Sequence, residues 1–231
     1  MKVKYKYKVF LWLVSLMFVS GYLNSSSIVL YSYSISHHTG NMAQIAINFY
    51  INAPQEALRL LGVIAAYFLG GIVSGFLFYE HHVGFSKRFG AILIVDGILL
   101  IIIHYFVEDT FIKYMTISFI MGNQNAFLTR YKGMTTRISH ITGYITDAAV
   151  FLGRIMRGSR SFVRPFWFIL LKILGFLLGA LAGVYLIQID IRFHLLFPAA
   201  IYIFAGFYYH SVIYKEEMEK KKKVLSMSGN L

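Results

Sequence analysis

Six long apolar segments, separated by short polar stretches, dominate the pattern of hydrophobic positions along the chain. They cover roughly residues 9–23, 58–79, 89–107, 111–128, 166–189 and 193–213. Among Asp, Glu, Lys and Arg, residues 89–106 contain one residue, Asp96, and residues 166–189 contain one, Lys172. A helix needs about 20 mostly apolar residues to span a bilayer. The pattern therefore predicts an all-α polytopic membrane protein with six transmembrane helices.

Two shorter apolar pieces, residues 40–50 and 143–155, are helical in pattern but too short to cross a membrane. At about 1.5 Å per residue, each covers only about half of a hydrocarbon core of roughly 30 Å. We therefore expect two re-entrant half-helices, each of which enters and leaves the membrane on the same side.

Composition agrees with a membrane protein, since 58% of the residues are hydrophobic and the mean hydropathy is +0.63. We expect the first apolar segment to remain as a span, because no small-x-small cleavage pattern follows it. The chain contains no cysteine, which excludes disulfides and thiolate metal ligands. We expect no cofactor and no metal centre.

The net charge of +12 comes mainly from basic residues in short connections and at the termini. With six spans, 18 of the 22 Lys and Arg residues lie on the cytoplasmic side. If both short pieces crossed fully, 15 would lie inside and six outside, so the charges favour the six-span arrangement. This arrangement places both termini in the cytoplasm and makes residues 214–231 a cytoplasmic tail. The charge thus sets orientation, and we expect no nucleic-acid partner.

The two halves of the chain share a series of short motifs in the same order. Ser36-His37-His38-Thr39-Gly40 recurs as Ser139-His140-Ile141-Thr142-Gly143, Gly21-x-x-Asn24 as Gly122-x-x-Asn125, Gly71-x-x-x-Gly75 as Gly179-x-x-x-Gly183, and Phe89-x-Ala91 as Phe197-x-Ala199. The offset between the copies is nearly the same for all four pairs, which indicates one duplicated unit with small insertions. We predict internal repeats at about 9–107 and 111–213 within a single membrane domain, residues 1–231. Three spans in each repeat make it a 3+3 inverted repeat.

An inverted repeat brings the two Ser-His-x-Thr-Gly motifs towards each other near the membrane midplane. We interpret the Ser and Thr residues as N-caps of the half-helices, whose first N–H groups suit an anion or a carbonyl or carboxyl oxygen. His37 and His140 add groups that titrate near neutral pH. The predicted solute-binding residues are Asn24, Ser36, His37, Thr39, Gly40, Asn41, Gln124, Asn125, Ser139, His140, Thr142, Gly143 and Asp147.

Other interpretations of these residues stay open. Each motif could be only a cap and a turn, and the Asn24 and Asn125 amides could serve only to satisfy backbone groups. Lys172 could pair with Asp96 or with Asp147, since charges inside a membrane usually face a cavity or one another. The glycine stripes, formed by Gly71, Gly75, Gly175, Gly179 and Gly183, favour close helix packing and are compatible with a homo-oligomer. Glu80, His81 and His82 form a weak metal-binding pattern.

Four motifs resemble a known family. They are Gly21-Tyr22-x-Asn24, Thr39-Gly40-Asn41, Gly122-Asn123-Gln124-Asn125-Ala126 and Thr142-Gly143-x-x-Thr146-Asp147, and they resemble the YoaK-like family (DUF1275) of small bacterial integral membrane proteins over residues of about 9–213. That family usually has Asp where this chain has Asn24. The resemblance implies a bacterial inner or plasma membrane protein with about six spans, and it supplies no substrate.

The sequence favours a small-solute channel or secondary transporter, with its site between the two half-helix N-termini. The expected partners are a small-molecule solute and the lipid bilayer. One alternative is a membrane enzyme that uses His with Asp147 or Ser as acid, base or nucleophile, although the chain has no nucleophile motif and no metal triad. The other alternative is a non-transporting membrane scaffold.

Overall fold

The structure, a computed structural model, describes residues 3–78, 86–127, 130–131, 134–135 and 138–219. Its α-helices are α1 (Val3–Tyr31), α2 (His38–Tyr50), α3 (Pro54–Leu77), α4 (Arg88–Phe106), α5 (Thr110–Phe127), α6 (Ile141–Met156), α7 (Val163–Ile189) and α8 (Phe193–Tyr208). A 3₁₀ turn (Arg160–Phe162) precedes α7, and a π-helical segment (Tyr209–Tyr214) continues α8. Two short strands, β1 (Arg130–Tyr131) and β2 (Met134–Thr135), pair antiparallel before α6. The all-α prediction therefore holds apart from this small hairpin.

Five helices in the described part of the chain are long and apolar enough to cross a bilayer: α1, α3, α4, α7 and α8. Their outward faces carry large apolar side chains, and Phe76 and Phe106 are each 81% exposed, while Phe204 is 70% exposed. Water-soluble proteins do not present so much contiguous apolar surface, whereas lipid tails cover it. The protein is a multi-pass helical membrane protein.

Helix α5 is less apolar than these five helices because its C-terminal half carries Asn123, Gln124 and Asn125. These amides are buried against neighbouring helices. A helix surrounded by protein does not need apolar side chains on every face, because the polar groups face the protein interior.

Helix α1 runs well past the predicted end of the first span, so that Asn24 lies inside the helix. The polar residues after Asn24 lie within the helix, and their hydroxyls are satisfied by backbone carbonyls of the preceding turn. Ser25 donates to the Gly21 carbonyl at 2.9 Å, and Ser26 donates to the Leu23 carbonyl at 3.2 Å. The two short helices α2 and α6 have 13 and 16 residues, close to the lengths expected for half-helices.

Each helix of the first half has a counterpart in the second half that makes the equivalent contact. Helix α1 packs along α7, while α5 packs along α3. The half-helix α2 lies on α3, while α6 lies on α7. Helices α4 and α8 pack against each other. Exchanging the two halves of the chain leaves this set of contacts unchanged.

Glycines set the closest approaches between these helices. A Cβ atom at Gly21 of α1 would collide with the Phe176 carbonyl of α7. In the same way, a Cβ at Gly122 of α5 would collide with the Tyr67 carbonyl of α3. Backbone-to-backbone contact of this kind requires a residue without a side chain.

Two further glycines make the reverse contacts across the same helix pairs. A Cβ at Gly179 of α7 would collide with the Phe18 carbonyl of α1, and a Cβ at Gly70 of α3 would collide with the Phe119 carbonyl of α5. The stripe on α7 therefore packs as predicted.

The prediction for α3 was wrong by one residue. Cβ atoms at Gly71 and Gly75 would meet nothing within 4 Å, so neither glycine permits a close approach. The packing residue is Gly70, and it is Gly70 that corresponds to Gly179 of α7. The recurring Gly-x-x-x-Gly spacing matched the two helices in the wrong register.

Candidate functional site

Asn125, near the end of α5, fixes the segment that leads into α6. Its amide Nδ2 donates to the Ser139 hydroxyl at 2.8 Å, and its Oδ1 accepts from the Ser139 backbone N–H at 2.9 Å. Asn125 and Ser139 are 6% and 3% exposed. The amide therefore satisfies a buried backbone group that no regular secondary structure would satisfy.

Asn24 holds the equivalent segment in front of α2. Its Oδ1 accepts from the Ser34 hydroxyl at 2.7 Å and from the Ser36 hydroxyl at 3.3 Å. Ser34 in turn accepts the His37 backbone N–H at 2.9 Å. An asparagine in the helix before each half-helix thus binds the serine of the following Ser-His motif, in both halves of the chain.

The prediction that Ser and Thr cap the half-helices was wrong. The N-cap residues are His37 and His140, and neither helix has a side-chain cap hydrogen bond. The reason is that the Ser36 and Ser139 hydroxyls are bound by the two asparagines. The first N–H groups of a helix have no partner within it, so both half-helices begin with N–H groups that no side chain caps.

The two Ser-His motifs meet. The His37 ring lies beside the backbone of Ser139 and close to His140. These contacts join the residue before α2 to the two residues before α6. The structure therefore brings together the N-terminal ends of both half-helices.

Aromatic side chains and glycines surround the meeting point. The His37 ring packs edge-on against Phe176 of α7, with centroids 5.7 Å apart, and the His38 ring packs against Tyr67 of α3 at 4.4 Å. A Cβ at Gly143 would collide with the His140 ring, so this glycine lets the ring fold over the first turn of α6. At Gly40 a Cβ would meet nothing within 4 Å, which leaves open space beside the first turn of α2.

The other predicted residues have different surroundings. Asn41 is buried and donates to the Ser34 carbonyl at 2.7 Å, so it holds the turn before α2. Gln124 points away from the meeting point, because its Nε2 donates to the Leu16 carbonyl at 3.3 Å and its Oε1 accepts from the Tyr202 hydroxyl. Thr39, Thr142 and Asp147 are exposed.

The buried carboxyl group of Asp96 does not pair with Lys172. The Asn123 amide Nδ2 lies 3.3 and 3.4 Å from its two oxygens, and Asp96 is 2% exposed. Lys172 lies instead near α6, where Asp147 acts on it electrostatically.

A cavity of about 470 Å³ lies beside the connection between α4 and α5. Its lining residues are Leu30, Tyr31, Tyr33, Arg59, Glu108, Asp109, Thr110, Phe111 and Tyr114. Tyr114 donates from this cavity to the Ser34 carbonyl at 3.0 Å, which links the cavity wall to the segment before His37. Burial and a hydrogen bond to Glu56 raise the pKa of Tyr33 to about 12, so this phenol is neutral at physiological pH.

Sequence reasoning missed Ser34 and Tyr114. Ser34, two residues before the first motif, binds Asn24, the His37 backbone and Asn41. The matching position before the second motif is Arg137, so a search for duplicated residues does not find Ser34. No local signal in the sequence identifies Tyr114, because its contact joins segments 80 residues apart.

A family model described as "Protein of unknown function (DUF1275)" matches residues 12–208. The chain belongs to the DUF1275 family. The matched range includes both Ser-His motifs, both asparagines and all eight helices in whole or in part, which confirms the resemblance inferred from the sequence motifs. No curated protein and no solved structure matches the chain.

Metal-binding patterns receive no support from the described residues, among which no group of three or more His, Asp or Glu side chains could hold a metal ion. Glu80, His81 and His82 lie outside the described residues.

The geometry at Asn24 predicts which substitutions this DUF1275 chain tolerates there. Both hydrogen bonds use Oδ1 as acceptor, and a carboxylate can accept them as well. We expect Asn24→Asp to fold, and Asn24→Leu to lose about 1–3 kcal/mol of stability. Thermal unfolding in detergent would measure both. Equal losses in the two variants would mean that the amide nitrogen is the essential group.

Proposed function

We propose that this protein is a small-solute channel or secondary transporter whose pathway passes between the N-terminal ends of α2 and α6. The observation that carries the proposal is the meeting of two half-helix N-termini that no side chain caps, at His37, Ser139 and His140. Inside a membrane such N–H groups must face protein, water or a bound solute. Broken helices of this kind form the solute sites of many transporters with internal repeats.

The proposed architecture has six spans and two re-entrant half-helices, arranged as a 3+3 inverted repeat. The exchange of contacts between the two halves supports it, since α1 packs on α7 as α5 packs on α3. The close glycine contacts also match between the halves. Gly21 contacts the Phe176 backbone as Gly122 contacts the Tyr67 backbone, and the offset along the chain from Gly21 to Gly122 is nearly equal to that from Tyr67 to Phe176. In this arrangement α5 joins the five apolar helices as a further span, which makes six, and its Asn and Gln side chains face protein.

The proposed solute is an anion, a weak acid or a small polar molecule. Each half-helix N-terminus carries a partial positive charge and free N–H donors. The open space beside Gly40 and the exposed Thr39 and Thr142 leave room for a solute at the first turns. His37 and His140 add imidazole rings whose nitrogens can donate or accept a hydrogen bond.

The proposed location is the bacterial plasma membrane, with both termini in the cytoplasm. The basic residues support this orientation, because 18 of the 22 Lys and Arg residues lie inside when six spans are assumed.

Reconstitution into liposomes tests the proposed function. The purified protein should speed the equilibration of at least one solute from a panel of small anions, weak acids and neutral polar molecules. Light scattering after an osmotic step would follow neutral solutes, and ion-selective electrodes would follow anions. A correctly folded protein that moves none of them, compared with protein-free liposomes, would overturn the proposal.

A further inference from the structure

Lys172 places a charged side chain inside the membrane-spanning part of α7. It is 1% exposed, and nearly fully buried lysines are rare unless they are paired. Its Nζ atom lies 4.6 Å from the ring centroid of Tyr144, on α6, and 4.6 Å from that of Phe168, one turn earlier on α7. The ammonium group is therefore held between two aromatic faces, which attract a cation weakly.

No carboxylate within the described residues forms an ion pair with this lysine. The ion pairs found there join Lys8 with Glu216, Arg59 with Glu56, and Arg192 with Asp190. Asp147 acts on Lys172 only at longer range, and its own side chain is exposed. A buried charge without a close counter-charge is costly in a membrane, so its presence points to a functional role.

The lysine is close to both half-helix N-termini. Tyr144, which contacts its ammonium group, follows the N-cap His140 by four residues, and residues so spaced share one helix face. Phe176 follows Lys172 by four residues on α7 and contacts His37. Lys172 is therefore linked to both motifs through neighbouring aromatic side chains, to α6 through Tyr144 and to His37 through Phe176 on the next turn of α7.

We propose that Lys172 is the fixed positive charge that makes this site selective for a small monovalent anion, and that the bound anion is its counter-charge. The inference rests on the proposed function and names its solute class. Two helix N-termini each add roughly half a positive charge, so the site is strongly positive before an anion arrives. Cations are repelled, and neutral solutes gain nothing from the lysine.

The duplication explains why the site has one such charge. Val63 is the residue of α3 that corresponds to Lys172, since each stands equally far before the packing glycine of its own helix, Gly70 or Gly179. Val63 is fully buried in the apolar core. One lysine serves both half-helices, which fits one monovalent anion better than two.

Anion-dependent thermal unfolding of the purified full-length protein tests the inference. Chloride, nitrate or formate, each exchanged for the large anion gluconate at constant ionic strength, should raise the unfolding temperature of the wild-type protein. Lys172→Met should remove this shift, while Lys172→Arg should retain at least part of it. Lys113→Met, which removes a lysine from α5, is the matched control and should leave the shift unchanged.

Flux measurements in liposomes give the second readout. We expect Lys172→Met to lower anion flux at least about tenfold, because a unit charge in a low-dielectric site is lost. The flux of neutral solutes should not fall. Methionine keeps most of the length of the side chain and removes a buried charge, so the variant should fold. Lys172→Gln provides a second neutral side chain.

The outcomes separate the two proposals. Anion stabilisation and anion flux that persist in Lys172→Met or Lys172→Gln would overturn the role of the lysine and leave transport intact. A wild-type protein that moves neutral solutes but is not stabilised by any small anion would overturn anion selectivity even if neither variant folds. A wild-type protein that moves no solute would instead overturn the proposed function.

Discussion

Alanine at Gly21, Gly70, Gly122 or Gly179 is expected to destabilise the protein severely. A Cβ atom at each position would collide with a backbone carbonyl of the facing helix, at Phe176, Phe119, Tyr67 and Phe18 respectively. A backbone atom cannot rotate away as a side chain can, so the whole helix pair must separate. Inserting one methyl group into a packed core costs about 1–3 kcal/mol, and these four sites should lie at or above the upper end.

Gly71→Ala and Gly75→Ala provide matched controls on the same helix as Gly70. A Cβ at either position would meet nothing within 4 Å. Alanine also favours a helix over glycine by up to about 1 kcal/mol, so these variants should be neutral or slightly more stable. Thermal unfolding and size-exclusion profiles in detergent measure all six variants. Equal losses at Gly70 and Gly71 would contradict the helix register of the structure.

The same glycines show how far a repeat can be aligned from sequence alone. A shared Gly-x-x-x-Gly spacing matched Gly71 with Gly179, whereas the structure matches Gly70 with Gly179. When Gly70 is matched with Gly179, the first half has no Gly-x-x-x-Gly spacing at this place, because Ser74 stands where the second half has Gly183. Short motifs predict a duplication, but only contacts with the facing helix show which residues occupy equivalent positions.

The helices themselves were predictable because their apolar length decides them. Two short helices, α2 and α6, and five long apolar helices follow from the hydrophobic pattern. Helix ends were less predictable, since polar residues can lie within a helix when its own carbonyls accept their hydroxyl groups. Polar residues after Asn24 suggested that α1 ends there, yet α1 extends further, and the Ser25 and Ser26 hydroxyls donate to its backbone carbonyls.

The sequence proposes residues for the candidate site but does not show their hydrogen-bond partners. Duplication singled out Asn24, Asn125 and the two Ser-His motifs. It could not show that each asparagine takes the serine hydroxyl and so leaves the half-helix without a side-chain cap. Contacts of residues that are not duplicated, such as Lys172 with Tyr144, depend on the packing of α6 on α7.

His37→Ala and His140→Ala are each expected to lower solute flux at least about tenfold, because each removes a polar group at the meeting point of the half-helices. The fold-loss of flux in the double variant should be smaller than the product of the fold-losses in the two single variants, since contacting residues act as a unit. The His37 ring is partly buried and contacts the Ser34 and Ser36 hydroxyls, whereas His140 is exposed. His37→Ala should therefore also lose about 1 kcal/mol of stability. The stability of His140→Ala should be unchanged.

Flux in liposomes and thermal unfolding in detergent separate these two effects, with His104→Ala as the matched control. His104 contacts Tyr105 near the end of α4, so its loss should leave flux unchanged. A double variant that transports at the wild-type rate would place the pathway elsewhere in the fold. Loss of flux only in His37→Ala, in proportion to its loss of stability, would mean that the motif is only a structural turn. Loss of flux in His140→Ala at full stability is the result that a solute pathway between the half-helices requires.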